Sequence, residues 1–132
     1  MVTTVYGALL FNTFLFSLLL GAQTSIRACM HGLGFALSSL DKAVETSVLE
    51  NRLKRVTANQ LEFLVLAGLT LVAAVQWDVA IDNEAWIALS FVAGRVLYIP
   101  MVVIGVPILR SGTWLIGFFG WIYLFVQITM EI

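Results

Sequence analysis

Four long apolar segments make up most of this 132-residue chain and limit what it can fold into. As helices, three of the segments are long enough to cross a hydrocarbon layer about 30 Å thick, and the second, which is short alone, becomes long enough because its helical period extends back to about Ser47. The second begins as a polar helix that starts in water, and the third contains a single charge. With helices expected at about 3–29, 47–77, 83–107 and 110–131, the pattern predicts one all-α membrane domain over residues 1–132, a bundle of four transmembrane helices.

The composition supports this class and excludes others. The chain is 61% hydrophobic and 11% charged, whereas soluble domains are about half apolar and a quarter charged. A net charge of −1 and the lack of a basic arm argue against a nucleic-acid partner. Cys29 and His31 are the single cysteine and histidine, so no metal site is expected. His31 is predicted to lie in a solvated loop.

The basic residues predict how the chain crosses the membrane. Arg95 lies inside the third apolar segment, and the other six are at the first loop, the third loop or the helix ends that reach them: Arg27, Lys42, Arg52, Lys54, Arg55 and Arg110. Under the positive-inside rule these two loops are cytoplasmic and both termini are outside. The small size and absence of a retention signal favour a bacterial inner membrane.

One face of the second helix carries the strongest indication of a site. Arg52, Arg55, Asn59 and Glu62 are spaced by three, four and three residues, which places them within a sector of about 80°. This polar face runs directly into the uncharged segment Phe63–Trp77. Because charge inside a membrane helix is costly, it usually marks a functional site.

A second polar set lies on the third helix. Arg95 and Tyr98 share one face, and Arg95 is deep enough in the membrane to need a partner. Glu62, directly before the second apolar segment, is the one acid expected at membrane depth, so an Arg95–Glu62 pair is predicted. Such a pair can simply fix helix register. Together with Arg110 it can also belong to a pocket for a small anionic ligand that carries an ammonium group.

The sequence R-L-K-R-V-T-A-N-Q-L-E-F resembles the second-helix signature of the MAPEG family, the membrane-associated proteins in eicosanoid and glutathione metabolism. The sequence G-R-V-L-Y-I-P-M-V-V-I-G-V-P-I-L-R-S resembles the family's third helix and the start of its fourth. The resemblance implies a homotrimer of four-helix bundles. It also implies that glutathione binds between neighbouring subunits, near the cytoplasmic side.

The resemblance further implies a glutathione-dependent transferase or peroxidase acting on lipophilic electrophiles. Arg110 resembles the arginine that stabilises the glutathione thiolate, the nucleophile of the reaction. Arg27 is a weaker candidate at the mouth of the pocket. The positions that resemble the family's glutathione-binding residues are Arg52, Arg55, Asn59, Glu62, Arg95 and Tyr98.

Three positions depart from the family pattern. Val102 and Phe63 stand where many or some relatives carry tyrosine, and Val56 stands where the signature has alanine. The missing tyrosine at Val102 favours an alternative hypothesis, a non-catalytic membrane protein of the same fold that binds a lipid or another small molecule. A proton or ion pathway through Arg95 and Glu62 is a third hypothesis, but few ionisable groups are available for a relay.

Overall fold

The computed structural model describes residues 3–38 and 45–132, so Lys42 lies outside the described residues. Four helices in it are long and apolar enough to cross a membrane, which confirms the predicted all-α four-helix membrane fold. A short helix, α2, follows the first of them and was not predicted. The five helices are α1 (Thr3–His31), α2 (Leu33–Ala36), α3 (Val48–Gln76), α4 (Glu84–Ile104) and α5 (Pro107–Glu131).

The long helices pack in a defined order. Helix α1 lies against α3 and α4, and α5 packs most extensively on α4 and also touches α3. A buried polar pair joins α1 to α3: Gln60 Nε2 donates to Asn12 Oδ1 at 3.0 Å. Asn12 Nδ2 donates in turn to the carbonyl of Ala8 at 2.8 Å. Interhelical amide contacts of this kind fix helix register where water is absent.

The start of α3 is fixed by a capping box. Ser47 Oγ accepts from the Glu50 backbone, and the Glu50 side chain accepts from the Ser47 backbone. The same carboxylate lies 3.0 Å from His31 Nε2. The prediction of a solvated loop histidine is therefore wrong: His31 ends α1 and ties it to α3. A contact across nineteen residues leaves no periodic signal in the sequence.

The link between α4 and α5 lies three residues earlier in the chain than the predicted helix bounds placed it. Helix α4 ends at Ile104 because Gly105 adopts a left-handed conformation with φ 87°. Pro107 then opens α5, where the missing amide hydrogen costs nothing. Residues 107–109 therefore belong to α5, which was expected to begin at 110. As a result, Arg110 lies at the end of the first turn of α5 rather than at its first residue.

Candidate ligand-binding site

A cleft of about 670 Å³ opens between α3 and the beginning of α5, with α4 behind it. Six of the residues that line it are polar or charged. It is lined by Arg55, Ala58, Asn59, Glu62, Tyr98, Arg110, Ser111, Trp114 and Leu115. The cleft therefore brings together five of the seven residues that the sequence singled out, from three separate helices.

The α3 wall carries the predicted polar face. Arg55, Asn59 and Glu62 lie on successive turns and line the cleft, with the small Ala58 between them. Arg55 and Glu62 are exposed and Asn59 is half-buried. Among the described residues that line the cleft, Glu62 supplies the one carboxylate. The wall thus offers a cation at one end and an anion two turns deeper.

The α5 wall places an arginine beside the amino terminus of a helix. Arg110, Ser111 and Trp114 come from the first two turns of α5 and face the cleft. The unpaired amides of a helix amino terminus carry partial positive charge, which adds to the charge of the guanidinium. The charge of Arg110 and the positive end of the α5 dipole therefore make this end of the cleft favourable for an anion.

Arg52 lies beside the cleft rather than in its wall. It lines an adjoining cavity of about 160 Å³ together with Arg55 and Arg110. Its Nη1 donates to the carbonyl of Val103 at 2.9 Å, near the end of α4. A Cβ atom on Gly105 would be 2.5 Å from Nη2 of this guanidinium. Glycine at position 105 therefore allows the left-handed turn and also leaves space for the Arg52 guanidinium.

Arg95 lies beneath the cleft and is only 2% exposed. Its Nη1 donates to Asn59 Oδ1 at 2.6 Å, and its Cζ lies 4.1 Å from the centroid of the Phe63 ring. Among the described residues, its Nε has no hydrogen-bond partner. The predicted pair is wrong as a direct contact, because no oxygen of Glu62 lies within 4.0 Å of the guanidinium. An amide and a ring face take the place of the acid.

Arg27 is separate from the cleft in this chain. It lines a cavity of about 130 Å³ with Glu50 and Lys54. Val102 is 3% exposed and lines the cavity that contains Arg52 and Arg110, so the position of the missing phenol does lie next to the arginines.

Sequence reasoning missed Trp114 and Ser111 as lining residues. Trp114 follows Arg110 by four residues and so shares its helix face, which is the signal that could have placed it at the cleft. Its ring stacks on Phe118 at 4.8 Å between centroids. The apolar side of the cleft therefore continues along α5, away from the arginines.

Comparison with known proteins gives one match. The chain matches the model of the MAPEG family over residues 2–130, nearly its whole length. No curated protein and no solved structure matches it.

Proposed function

Since the chain belongs to the MAPEG family, an integral multi-pass membrane group, we propose that it is a glutathione-dependent transferase or peroxidase for lipophilic electrophiles. The observation that carries this proposal is the charge pattern of one cleft. Two arginines, an amide and a phenol converge with a single carboxylate beside an apolar wall. This is the pattern that a small, anionic, zwitterionic thiol requires.

Glutathione matches the cleft group by group. It has two carboxylates, which arginines bind in bidentate fashion, and one ammonium, for which Glu62 is the available carboxylate. Arg52 extends the positive surface into the adjoining cavity. The proposed binding set is Arg52, Arg55, Asn59, Glu62 and Tyr98, and Arg95 supports it from beneath through its hydrogen bond to Asn59.

Arg110 is the proposed catalytic residue. A guanidinium close to the glutathione sulfur stabilises the thiolate relative to the thiol, and the thiolate is the nucleophile. In transfer, the sulfur–carbon bond forms as the leaving group departs with its electron pair. In peroxide reduction, two glutathione molecules give one disulfide while the hydroperoxide becomes an alcohol and water. Trp114 and Leu115 place an apolar wall beside this sulfur.

The proposed assembly is a homotrimer with the cleft covered by a neighbouring subunit. Arg55 and Glu62 are exposed in the single chain, and a charged face at membrane depth is unfavourable against lipid. The cleft opens at the end of the bundle where α5 begins, and this end is proposed to face the cytoplasm of a bacterium. The lipophilic partner then enters from the bilayer, where it is already concentrated.

The test uses purified protein in detergent or lipid nanodiscs. Glutathione binding is measured by calorimetry, and glutathione consumption is measured with a generic electrophile. Arg55→Ala should weaken binding roughly tenfold or more, since a hydrogen-bonded charge pair is lost. Lys54→Ala is the matched control, because it removes an exposed cation one residue away that lies outside the cleft. If both variants bind glutathione as tightly as the wild type, the cleft is not the glutathione site.

A non-catalytic binding protein of the same fold is the second candidate. It is favoured by Val102, which leaves the arginine-lined cavity without a phenol. The same experiment separates the two hypotheses. Binding of glutathione without consumption, with several electrophiles of different reactivity, would establish the binding protein and exclude the enzyme.

A further inference from the structure

Arg95 and Asn59 are joined by a short hydrogen bond between a residue beneath the cleft and one in its wall. We propose that Arg95 is a positioning residue, which fixes the amide of Asn59 so that its NH₂ group donates to an oxygen of the ligand. The inference rests on the proposed function. It makes Arg95 act on glutathione only through Asn59, and it makes Asn59 a donor and not an acceptor toward the ligand.

The orientation of the amide follows from what each group can donate. A guanidinium has five N–H donors and no acceptor, whereas an asparagine amide has one oxygen acceptor and an NH₂ with two donors. The 2.6 Å contact of Arg95 Nη1 is therefore made with Asn59 Oδ1. Rotating the amide by 180° would bring the Asn59 NH₂ group against the buried N–H donors of Arg95. Asn59 Nδ2 therefore does not hydrogen-bond to Arg95 and can donate to another group.

The guanidinium itself is held from two sides. The Phe63 ring lies 4.1 Å below its central carbon, and the Tyr98 ring lies 5.6 Å away. A cation above ring faces at these distances is stabilised by the ring quadrupole, more strongly where water is excluded. Phenylalanine in place of tyrosine at position 63 keeps this ring face. The guanidinium is thus fixed before any ligand arrives.

Direct contact between Arg95 and the ligand does not fit the geometry. Arg95 is 2% exposed and does not line the 670 Å³ cleft. The cavity that it does line, with Asn59 and Glu62, has a volume of about 50 Å³. A single water occupies about 30 Å³ in the liquid, so a carboxylate-bearing peptide cannot enter it. Asn59, which lines both spaces, is the link.

The consequence concerns specificity. With Asn59 fixed as a donor, Arg55, Arg110 and the Asn59 NH₂ all donate, and Glu62 accepts. The cleft then favours ligands that place an acceptor oxygen opposite the NH₂ group of Asn59. Pre-orientation also removes the entropic cost of ordering the amide on binding. Both effects appear in the affinity for glutathione and not in the chemical step, so KM changes while kcat does not.

The first experiment tests the direction of the amide. Asn59→Asp keeps the shape and the oxygen that accepts from Arg95, but it removes both amide donors and adds a negative charge. If Nδ2 faces the ligand, Asn59→Asp weakens glutathione binding at least as much as Asn59→Ala, by roughly tenfold or more. Binding as tight in Asn59→Asp as in wild type would mean that an oxygen faces the ligand, which overturns the proposal.

The second experiment is a double-mutant cycle on KM and the dissociation constant. Arg95→Met, which is close in volume and leaves no unpaired charge, should raise both constants roughly three- to tenfold with kcat unchanged. Arg95→Lys, which can still donate to Asn59, should recover part of the loss. In the Asn59→Ala background neither change should have a further effect. Additive losses would show that Arg95 contacts the ligand itself, and lowered thermal stability with unchanged constants would show a purely structural arginine.

A third measurement keeps this inference separate from the proposed function. The chain has four asparagines, Asn12, Asn51, Asn59 and Asn83, so selective ¹⁵N labelling gives few side-chain amide signals. The Asn59 pair should shift in Arg95→Met without any ligand, while the Asn12 pair stays unchanged. If the wild type binds no glutathione, the proposed function fails, yet this shift still supports the fixed amide. An unchanged Asn59 signal defeats the inference even in an active enzyme.

Discussion

Gly94 of α4 lies against Gly117 of α5 so closely that a Cβ atom on Gly94 would be 2.6 Å from the Gly117 backbone nitrogen. Small residues at such positions let two transmembrane helices approach backbone to backbone. Arg95 follows Gly94 directly, so this approach also sets where its guanidinium lies. The distance between the helices and the position of the buried charge are therefore coupled.

Gly94→Ala should destabilise the protein by about 1–3 kcal/mol, because the added methyl group meets backbone atoms that cannot move aside. Thermal unfolding in detergent measures the loss. Gly21→Ala is the control: it is also within a long helix, but its Cβ atom would have no neighbour within 4 Å. That variant should be as stable as the wild type or slightly more stable. Equal stability of both variants would show that α4 and α5 are farther apart than described.

Much of the cleft was predictable because helix geometry is local. The spacing of Arg55, Asn59 and Glu62 alone places them on one face, and the structure brings that face to Arg110 and Tyr98. The four transmembrane helices were predictable for a related reason. Long apolar segments have few alternatives in a membrane, where each backbone polar group must be satisfied within the helix.

The partner of Arg95 was not predictable from charge. Sequence reasoning chose Glu62 because it was the available acid, but Asn59 is one turn nearer the start of α3 and accepts the hydrogen bond instead. The choice depends on the separation of α3 and α4 and on the Phe63 ring beneath the guanidinium. These distances are set by packing between residues far apart in the chain, which no spacing rule reports.

We predict that the protein is a homotrimer in which a neighbouring subunit covers the charged α3 wall. Native mass spectrometry in detergent should give three chains per particle. Glutathione should bind to that particle, since Arg55 and Glu62 need a neighbour to shield them from lipid. A stable monomer or dimer that binds glutathione with the same affinity would contradict the placement of sites between subunits.

We predict that the end of the bundle at which the cleft opens faces the cytoplasm and that both termini are outside. A reporter active only outside the cytoplasm should give a signal when fused after Ile132, because basic residues gather at the opposite end. A fusion truncated after Ile104, where α4 ends, should give the opposite result and serves as the internal control. A cytoplasmic signal at Ile132 would place the cleft on the non-cytoplasmic side, away from a glutathione pool.

Glu62 should matter for ligand binding and little for folding. Its carboxylate is exposed in the cleft and does not neutralise Arg95 directly, so Glu62→Gln should unfold at nearly the wild-type temperature. Glutathione affinity should fall about tenfold, as expected for a lost charge-assisted hydrogen bond. The matched ligand is N-acetylglutathione, which lacks the ammonium group.

The wild type should prefer glutathione over N-acetylglutathione, and Glu62→Gln should bind both equally weakly. Calorimetry with the two ligands measures this directly. If the preference survives in Glu62→Gln, another group holds the ammonium, and the assignment of Glu62 fails. A large fall in unfolding temperature would instead show that Glu62 supports Arg95 through longer-range attraction.

Arg110→Ala should leave the assembly intact and suppress turnover. Arg110 lies in the first turns of α5, is half-buried and lines the cleft, so it is not needed to balance a buried charge. Without the guanidinium the bound thiolate loses stabilisation, and the pKa of the glutathione thiol should rise by about one unit or more. At pH 7 that change lowers the thiolate fraction, and hence the rate, about tenfold.

The thiol pKa is measured from the ultraviolet absorbance of the bound thiolate across a pH series, in wild type, Arg110→Ala and Arg110→Lys. In Arg110→Ala the pH–rate profile should shift to higher pH together with the thiol pKa, so that activity is partly regained above pH 8. Arg110→Lys keeps a positive charge, so its thiol pKa and its rate should lie between those of the wild type and Arg110→Ala. If all three proteins show the same thiol pKa and the same rate, Arg110 acts only as a basic residue at the membrane interface, and its catalytic assignment is wrong.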